Sequence, residues 1–214
     1  MQYLSQRLAS KPARQRDEAS SRGALRSPQL ARLLDAAERL VAAAGIGAAP
    51  IEAIVKEAGV STVTFYEHFE GKEECFGAAF DRAVEEFEAE LGERLGRELT
   101  WPERISTGLR VLLAEVVARP ERARLCLVAA QTGGPALGAR FEATLDRAAR
   151  KLREGRELES APADLPETLE EATAGGVAWL LRERLERGTA DAAAVEDLYP
   201  KLIDIALAPY LSDG

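Results

Sequence analysis

Two short apolar stripes meet at Gly59-Val60-Ser61, and few folds can be built around that junction. Ile51, Ile54, Val55 and Ala58 recur at i, i+3, i+4 and i+7, a spacing that predicts a helix of about two turns closed by Gly59. Ser61 then offers an N-cap hydroxyl to a second helix, on which Phe65 and Phe69 share one face and which Gly71 is expected to end. Val63, Thr64 and Glu67 fall roughly opposite that face, with Thr62, Tyr66 and His68 on the flanks. The second helix thus turns toward solvent a surface rich in hydroxyls, suited to reading something polar. Two short helices at a tight glycine turn form a helix-turn-helix, whose second helix enters the DNA major groove while the first crosses the backbone. Spacing alone equally allows a helical hairpin that only packs.

The residues themselves carry a resemblance. The run from Ile51 to Ser61, then Thr64-Phe65-Tyr66-Glu67-His68-Phe69 and Lys72-Glu73-Glu74, resembles the DNA-binding segment of the TetR (tetracycline repressor) family over roughly residues 27 to 80. Beyond it only an all-helical layout and the ending Leu207-Ala208-Pro209-Tyr210-Leu211 are similar. The resemblance implies a transcriptional regulator, usually a repressor: a homodimer whose N-terminal domains bind a palindromic double-stranded DNA operator and whose larger C-terminal domain binds a small-molecule inducer. Residue by residue, it implies phosphate contacts for Tyr66, His68 and Lys72 and base-edge contacts for Thr62, Val63 and Thr64. Hydroxyls can bond to several bases, and Val63 can pack on a thymine methyl. Glu67 either accepts from a cytosine amino group or faces away. The chain departs from the family at Ala48-Ala49-Pro50-Ile51, where a Ser or Thr usually caps the helix and touches phosphate; Pro50 is expected to start it instead. It departs again at Ile54-Val55, usually Ile-Ala.

Around this unit the periodicity predicts an all-α fold of about nine helices: a three-helix helix-turn-helix head and a larger helical body for ligand binding and dimerisation. The expected divisions are a mobile basic arm over 1–26, a DNA-binding domain over 27–71 and a regulatory and dimerisation domain over 72–214. Ser27-Pro28 opens a helix that Gly45 closes. Lys72 begins a long connecting helix, and Thr100 with Glu103 makes a capping box before a stretch broken at Pro120. Leu125 to Ala130 reads as a short segment buried at the centre of the body. Leu137 to Leu152 is amphipathic, and Asp164 with Glu167 suggests a second capping box before a helix carrying Gly175-Gly176.

Charge is unevenly spread. The net charge is −8, yet residues 1–34 hold seven basic side chains against two acidic, while residues 81–214 hold 18 basic and 26 acidic. A basic end on an acidic body is compatible with nucleic acid, because affinity depends on local neutralisation of phosphates. The arm is expected either to reach the DNA minor groove or backbone, or to be a plain tail.

Enzyme chemistry finds no residues: His68 is the only histidine, no glycine-rich phosphate loop follows a strand, and no Cys/His cluster has metal spacing. No catalytic or metal site and no cofactor is expected. Cys75 and Cys126 read as free thiols in a reducing cytosol, and the chain as cytoplasmic, with no membrane span or secretory signal. The expected walls of an effector site between helices are Phe87, Trp101, Leu112, Leu127, Gln131, Phe141 and Trp179. Mid-helix glycines cost on the order of 1 kcal/mol each, so Gly175 and Gly176 call for a gain from close helix contact. With Leu180, Leu198, Leu202, Ile203 and Tyr210 they are the expected dimer interface, the other reading being tight packing within one subunit. The alternative function is a helical protein-protein interaction module without DNA binding.

Overall fold

The structure, a computed structural model, describes residues 27–96 and 98–211; the expected arm lies outside them. Among the described residues there are nine α-helices and no strands. They are α1 (Pro28–Ala44), α2 (Ile51–Ala58), α3 (Thr62–His68), α4 (Lys72–Arg94), α5 (Trp101–Ala118), α6 (Pro120–Leu127), α7 (Pro135–Arg153), α8 (Leu169–Glu186) and α9 (Ala192–Leu207). The all-α architecture is the one expected.

Helix ends follow local chemistry. α2 closes in a Schellman arrangement: Gly59 is left-handed at φ 63°, the Val60 N–H reaches the Val55 carbonyl at 3.1 Å, and the Gly59 N–H reaches Lys56 at 3.3 Å. Ser61 Oγ accepts from the Thr64 N–H at 3.0 Å and starts α3. At α5, Glu103 accepts from both the N–H and the hydroxyl of Thr100, and these two bonds hold its carboxyl below the usual range.

Four local expectations are corrected. α3 ends at His68, not Gly71, because Phe69 turns extended to bury its ring. Pro50 is the N-cap residue of α2 and not its first helical residue. α8 begins at Leu169 after Thr168, so Asp164 and Glu167 lie in the preceding loop and cap nothing. The Leu125–Ala130 segment is the end of α6 and a 3-10 turn, and it lies between head and body rather than at the body's centre: Leu125 and Ala129 share a core with Leu33, Leu34, Ile54, Phe65 and Phe76, while Leu127 and Val128 pack on the body core.

A second core fills the body, where Trp101, Leu181, Leu185, Leu198, Leu202 and Tyr210 interlock. Trp101 stacks edge-on against Tyr210 and donates its indole N–H to the Lys151 carbonyl at 2.9 Å. Gly155 makes room for that ring, since a Cβ there would stand 2.5 Å from it.

Candidate nucleic-acid interface and ligand cavity

α3 is seven residues long and would not persist by itself, so its anchorage decides its direction. Phe65 and Phe69 are buried in the head core with ring centres 5.4 Å apart, and Tyr66 lies edge-on to Phe65 at 5.5 Å. With those rings held inward, the helix period turns the remaining side chains out. Val63 is 69% exposed and Tyr66 57% exposed, large apolar surface facing solvent. Thr62 is exposed as well, while Thr64, His68 and Lys72 are half-exposed around the same face. The Thr64 hydroxyl lies 3.0 Å from Ser61 Oγ, a hydrogen bond in which either oxygen can donate.

α1 closes the back of this pair. Leu30, Leu33, Leu34, Ala37 and Val41 are buried, and so is Glu38, a carboxylate in the same stripe. Arg82 of α4 donates from Nη2 to Glu38 Oε1 at 2.5 Å and lies 2.7 Å from Asp35 Oδ1. Arg122 of α6 places Nε 3.5 Å from Glu38 Oε2 and donates from Nη1 to Glu86 at 2.5 Å. Burial pulls the Arg122 pKa down, but the surrounding carboxylates, Glu38 and Glu86 foremost, outweigh it and hold the guanidinium more firmly charged than usual. The sequence reading passed over this cluster. Its signal is Glu38 at i+4 from Leu34, a charge in an apolar stripe.

A cavity of about 770 Å³ opens within the body, bounded by α4, α5, α6, α7 and α8. Of the expected wall residues, Phe87, Leu112, Leu127 and Phe141 line it together. Trp101, Gln131 and Trp179 do not. Trp101 is packed into the second core, Gln131 is exposed and accepts from Arg182 at 2.6 Å, and Trp179 is 58% exposed on the outside of α8. The walls missed from the sequence include Phe80, Val84, Ile105, Cys126 and Val177. The cavity runs along α4 from Phe80, beside the head, to Leu95, roughly 22 Å at the helical rise of 1.5 Å per residue. Among its lining side chains Arg147 pairs with Glu88 and Arg104 with Glu154, while Arg150 and Lys151 are exposed.

Both thiols are held protonated. Burial pushes Cys75 and Cys126 up to about 12, although Cys126 keeps partial exposure where it borders the cavity. The expected interface residues split. Leu198, Leu202 and Tyr210 lie inside the subunit core, whereas Gly175, Gly176, Leu180 and Ile203 are half-exposed. A Cβ at either glycine would meet nothing within 4 Å, so neither glycine is required by packing within the subunit. Among the described residues no helix is long and apolar enough to cross a membrane, and no group of three potential ligands gathers for a metal.

Residues 33–79, from α1 into α4, match the family described as bacterial regulatory proteins, tetR family. No curated protein matches the chain in sequence. Several solved structures share the fold. The fatty acid degradation regulator FadR from Bacillus halodurans aligns with a TM-score of 0.74 at 17% identity, over 85% of this chain and 95% of that one. FadR from Bacillus subtilis, solved in complex with stearoyl-CoA, aligns at 0.71 and 16% identity over 84% and 98%. A transcriptional regulator from Rhodococcus sp. Rha1 aligns at 0.68 and 23% identity over 86% and 99%. With Ile54, Phe65 and Phe69 buried and α3 facing outward, the helix-turn-helix head of this chain matches the tetR family of bacterial regulatory proteins.

Proposed function

We propose that this chain is a ligand-responsive transcriptional regulator that binds a palindromic operator as a homodimer and acts as a repressor released when its body cavity fills. The observation that carries the DNA reading is α3: two buried phenylalanines hold it, and Thr62, Val63 and Tyr66 present their side chains to solvent. In this reading Thr62, Val63 and Thr64 meet base edges, and Tyr66, His68 and Lys72 meet phosphates, with residues 27–71 as the DNA-binding domain and 72–214 as the regulatory one.

The cavity favours an inducer with a long apolar chain. Its length and apolar walls suit one, and a structural neighbour was solved with stearoyl-CoA. The exposed Arg150 and Lys151 of its lining suit an anionic end group. For the dimer, the open face of α8 at Gly175, Gly176 and Trp179, with the exposed Ile205 of α9, is the surface that fits a two-fold pairing.

The experiment is selection of genomic fragments by the purified protein, followed by salt titration of the winner. A regulator selects a fragment with two symmetric half-sites, and its affinity falls steeply with salt as counterions are released. Failure to enrich any fragment, with salt-insensitive capture of a protein instead, would favour the interaction-module reading. Release of the selected fragment by stearoyl-CoA tests the inducer class.

A further inference from the structure

α6 is a partition. On one side Ala123, Cys126 and Leu127 line the cavity; on the other Leu125 packs into the head core against α1. Arg122, on the same helix, belongs to the cavity wall and also to a smaller cleft that it shares with Asp35, Glu38 and Arg39 of α1. The buried Glu38 carboxylate therefore sits between two arginines, each carried by a helix that bounds the cavity: Arg82 on α4 and Arg122 on α6.

The two arms of this cluster are unequal. Arg82 Nη2 is in firm contact with Glu38, at 2.5 Å. Arg122 Nε stands 3.5 Å from the other oxygen, and it is buried with no hydrogen-bond partner, as is Arg82 Nε. A charged hydrogen bond closes at about 2.7–2.9 Å, so a displacement of well under an ångström completes or abolishes the second arm. A buried donor left short of its acceptor is costly, so closing the second arm is favoured wherever the helices can approach.

We propose that Arg122 and Glu38 form a latch through which the filling of the cavity is felt by the head; the ligand half of this rests on the function proposed above. An occupant presses α6 toward α1, closes the Arg122–Glu38 hydrogen bond and clamps α1 to the body. The helix-turn-helix packed on α1 is then held in one orientation. Arg122 is a positioning residue: it acts on DNA through Glu38, and neither side chain lies on the exposed face of α3.

The test uses full-length protein, wild type against Glu38→Gln, Arg122→Met and the double variant, with thermal melting to confirm that each folds. In the ligand-free arm, where Arg122 is within ion-pair reach of Glu38 at 3.5 Å, amide hydrogen exchange across residues 28–44 is expected to quicken modestly in Arg122→Met, more in Glu38→Gln, which also loses the charge facing Arg82, and no further in the double variant than in Glu38→Gln. Unchanged exchange, or effects that multiply independently, overturns the latch. In the ligand arm, stearoyl-CoA binding and affinity for the selected fragment are measured together. The wild type is expected to change DNA affinity roughly 5- to 150-fold on saturation. Glu38→Gln, whose side chain lies outside the cavity lining, is expected to bind stearoyl-CoA within about threefold of wild type while that change shrinks to about twofold or less. Variants that keep the full change overturn the latch. A wild type that ignores stearoyl-CoA, or binds it with no effect on DNA, instead refutes the inducer reading, and the exchange arm still decides whether the pair clamps the head.

Discussion

The phenol of Tyr210 donates a 2.7 Å hydrogen bond to Oε1 of Glu170, tying the end of the chain's last turn to the first turn of α8. Arg156 donates to the same carboxylate at 2.7 and 3.1 Å. Burial pushes the Glu170 carboxyl up, but the bonds from Arg156 and Tyr210 outweigh it and leave its pKa below the usual range. A depressed folded pKa means stability that is present above the ordinary Glu value of about 4.3 and lost as pH falls below it toward the folded value. Glu170→Ala is expected to cost about 3 kcal/mol at neutral pH. Acid melting curves of variant and wild type are expected to converge below pH 4, and a constant offset down to the acid limit would refute the assignment.

DNA contacts separate by kind. Lys72→Ala should lower the slope of log affinity against log salt by about one, and Tyr66→Phe should weaken all sequences alike. Val63→Ala should change which base is preferred at one position in each half-site, by about 1 kcal/mol. Filter binding over a salt series and selection from a randomised half-site provide the two readouts. A Val63→Ala variant with unaltered preference removes Val63 from the base-reading set.

The open face of α8 predicts an oligomeric consequence. Trp179→Ala removes a large exposed aromatic, and such anchors contribute about 2 kcal/mol or more at interfaces. A two-fold interface meets itself, so each substitution counts twice. Sedimentation equilibrium is expected to show Trp179→Ala as monomer where the wild type is dimer, with the melting temperature of the monomer fold little changed.

Thiol chemistry reports on the cavity. With both pKa values near 12, Cys75 and Cys126 are almost wholly protonated at pH 7 and should react slowly with maleimide. Cys126 should be the faster, because it borders the cavity. Saturation with stearoyl-CoA is expected to erase that difference in a mass-spectrometric time course; equal rates without ligand would mean that the cavity admits no small molecule.

Helix order and most helix ends could be read from the chain because they depend on local rules. Gly59, Ser61 and the Thr100–Glu103 pair act within four residues of themselves, and periodicity alone placed Phe65 and Phe69 inside. Errors arose where the deciding partner is remote in sequence. Trp101 and Tyr210 look like wall and interface candidates until Lys151, Gly155 and each other are seen around them. Leu198 and Leu202 share an amphipathic helix with Ile203, and only the packing of α5 and α8 tells which flank turns inward. Glu38 was legible as an anomaly, a carboxylate in a leucine stripe, but its two arginines lie 44 and 84 positions further on.

Leu125 and Ala129 complete the same apolar cluster as the helix-turn-helix, which has a consequence for anyone grafting heads between regulators of this kind. A chimaera spliced after Gly71 would leave the transplanted bundle missing five of its inner tiles, Cys75, Phe76 and Ala79 of α4 as well as Leu125 and Ala129, and the recipient's sixth helix bare. The cut that preserves both pieces must carry the first turns of α4, and α6 with the turn after it, along with the reader, or rewrite those positions to suit the newcomer.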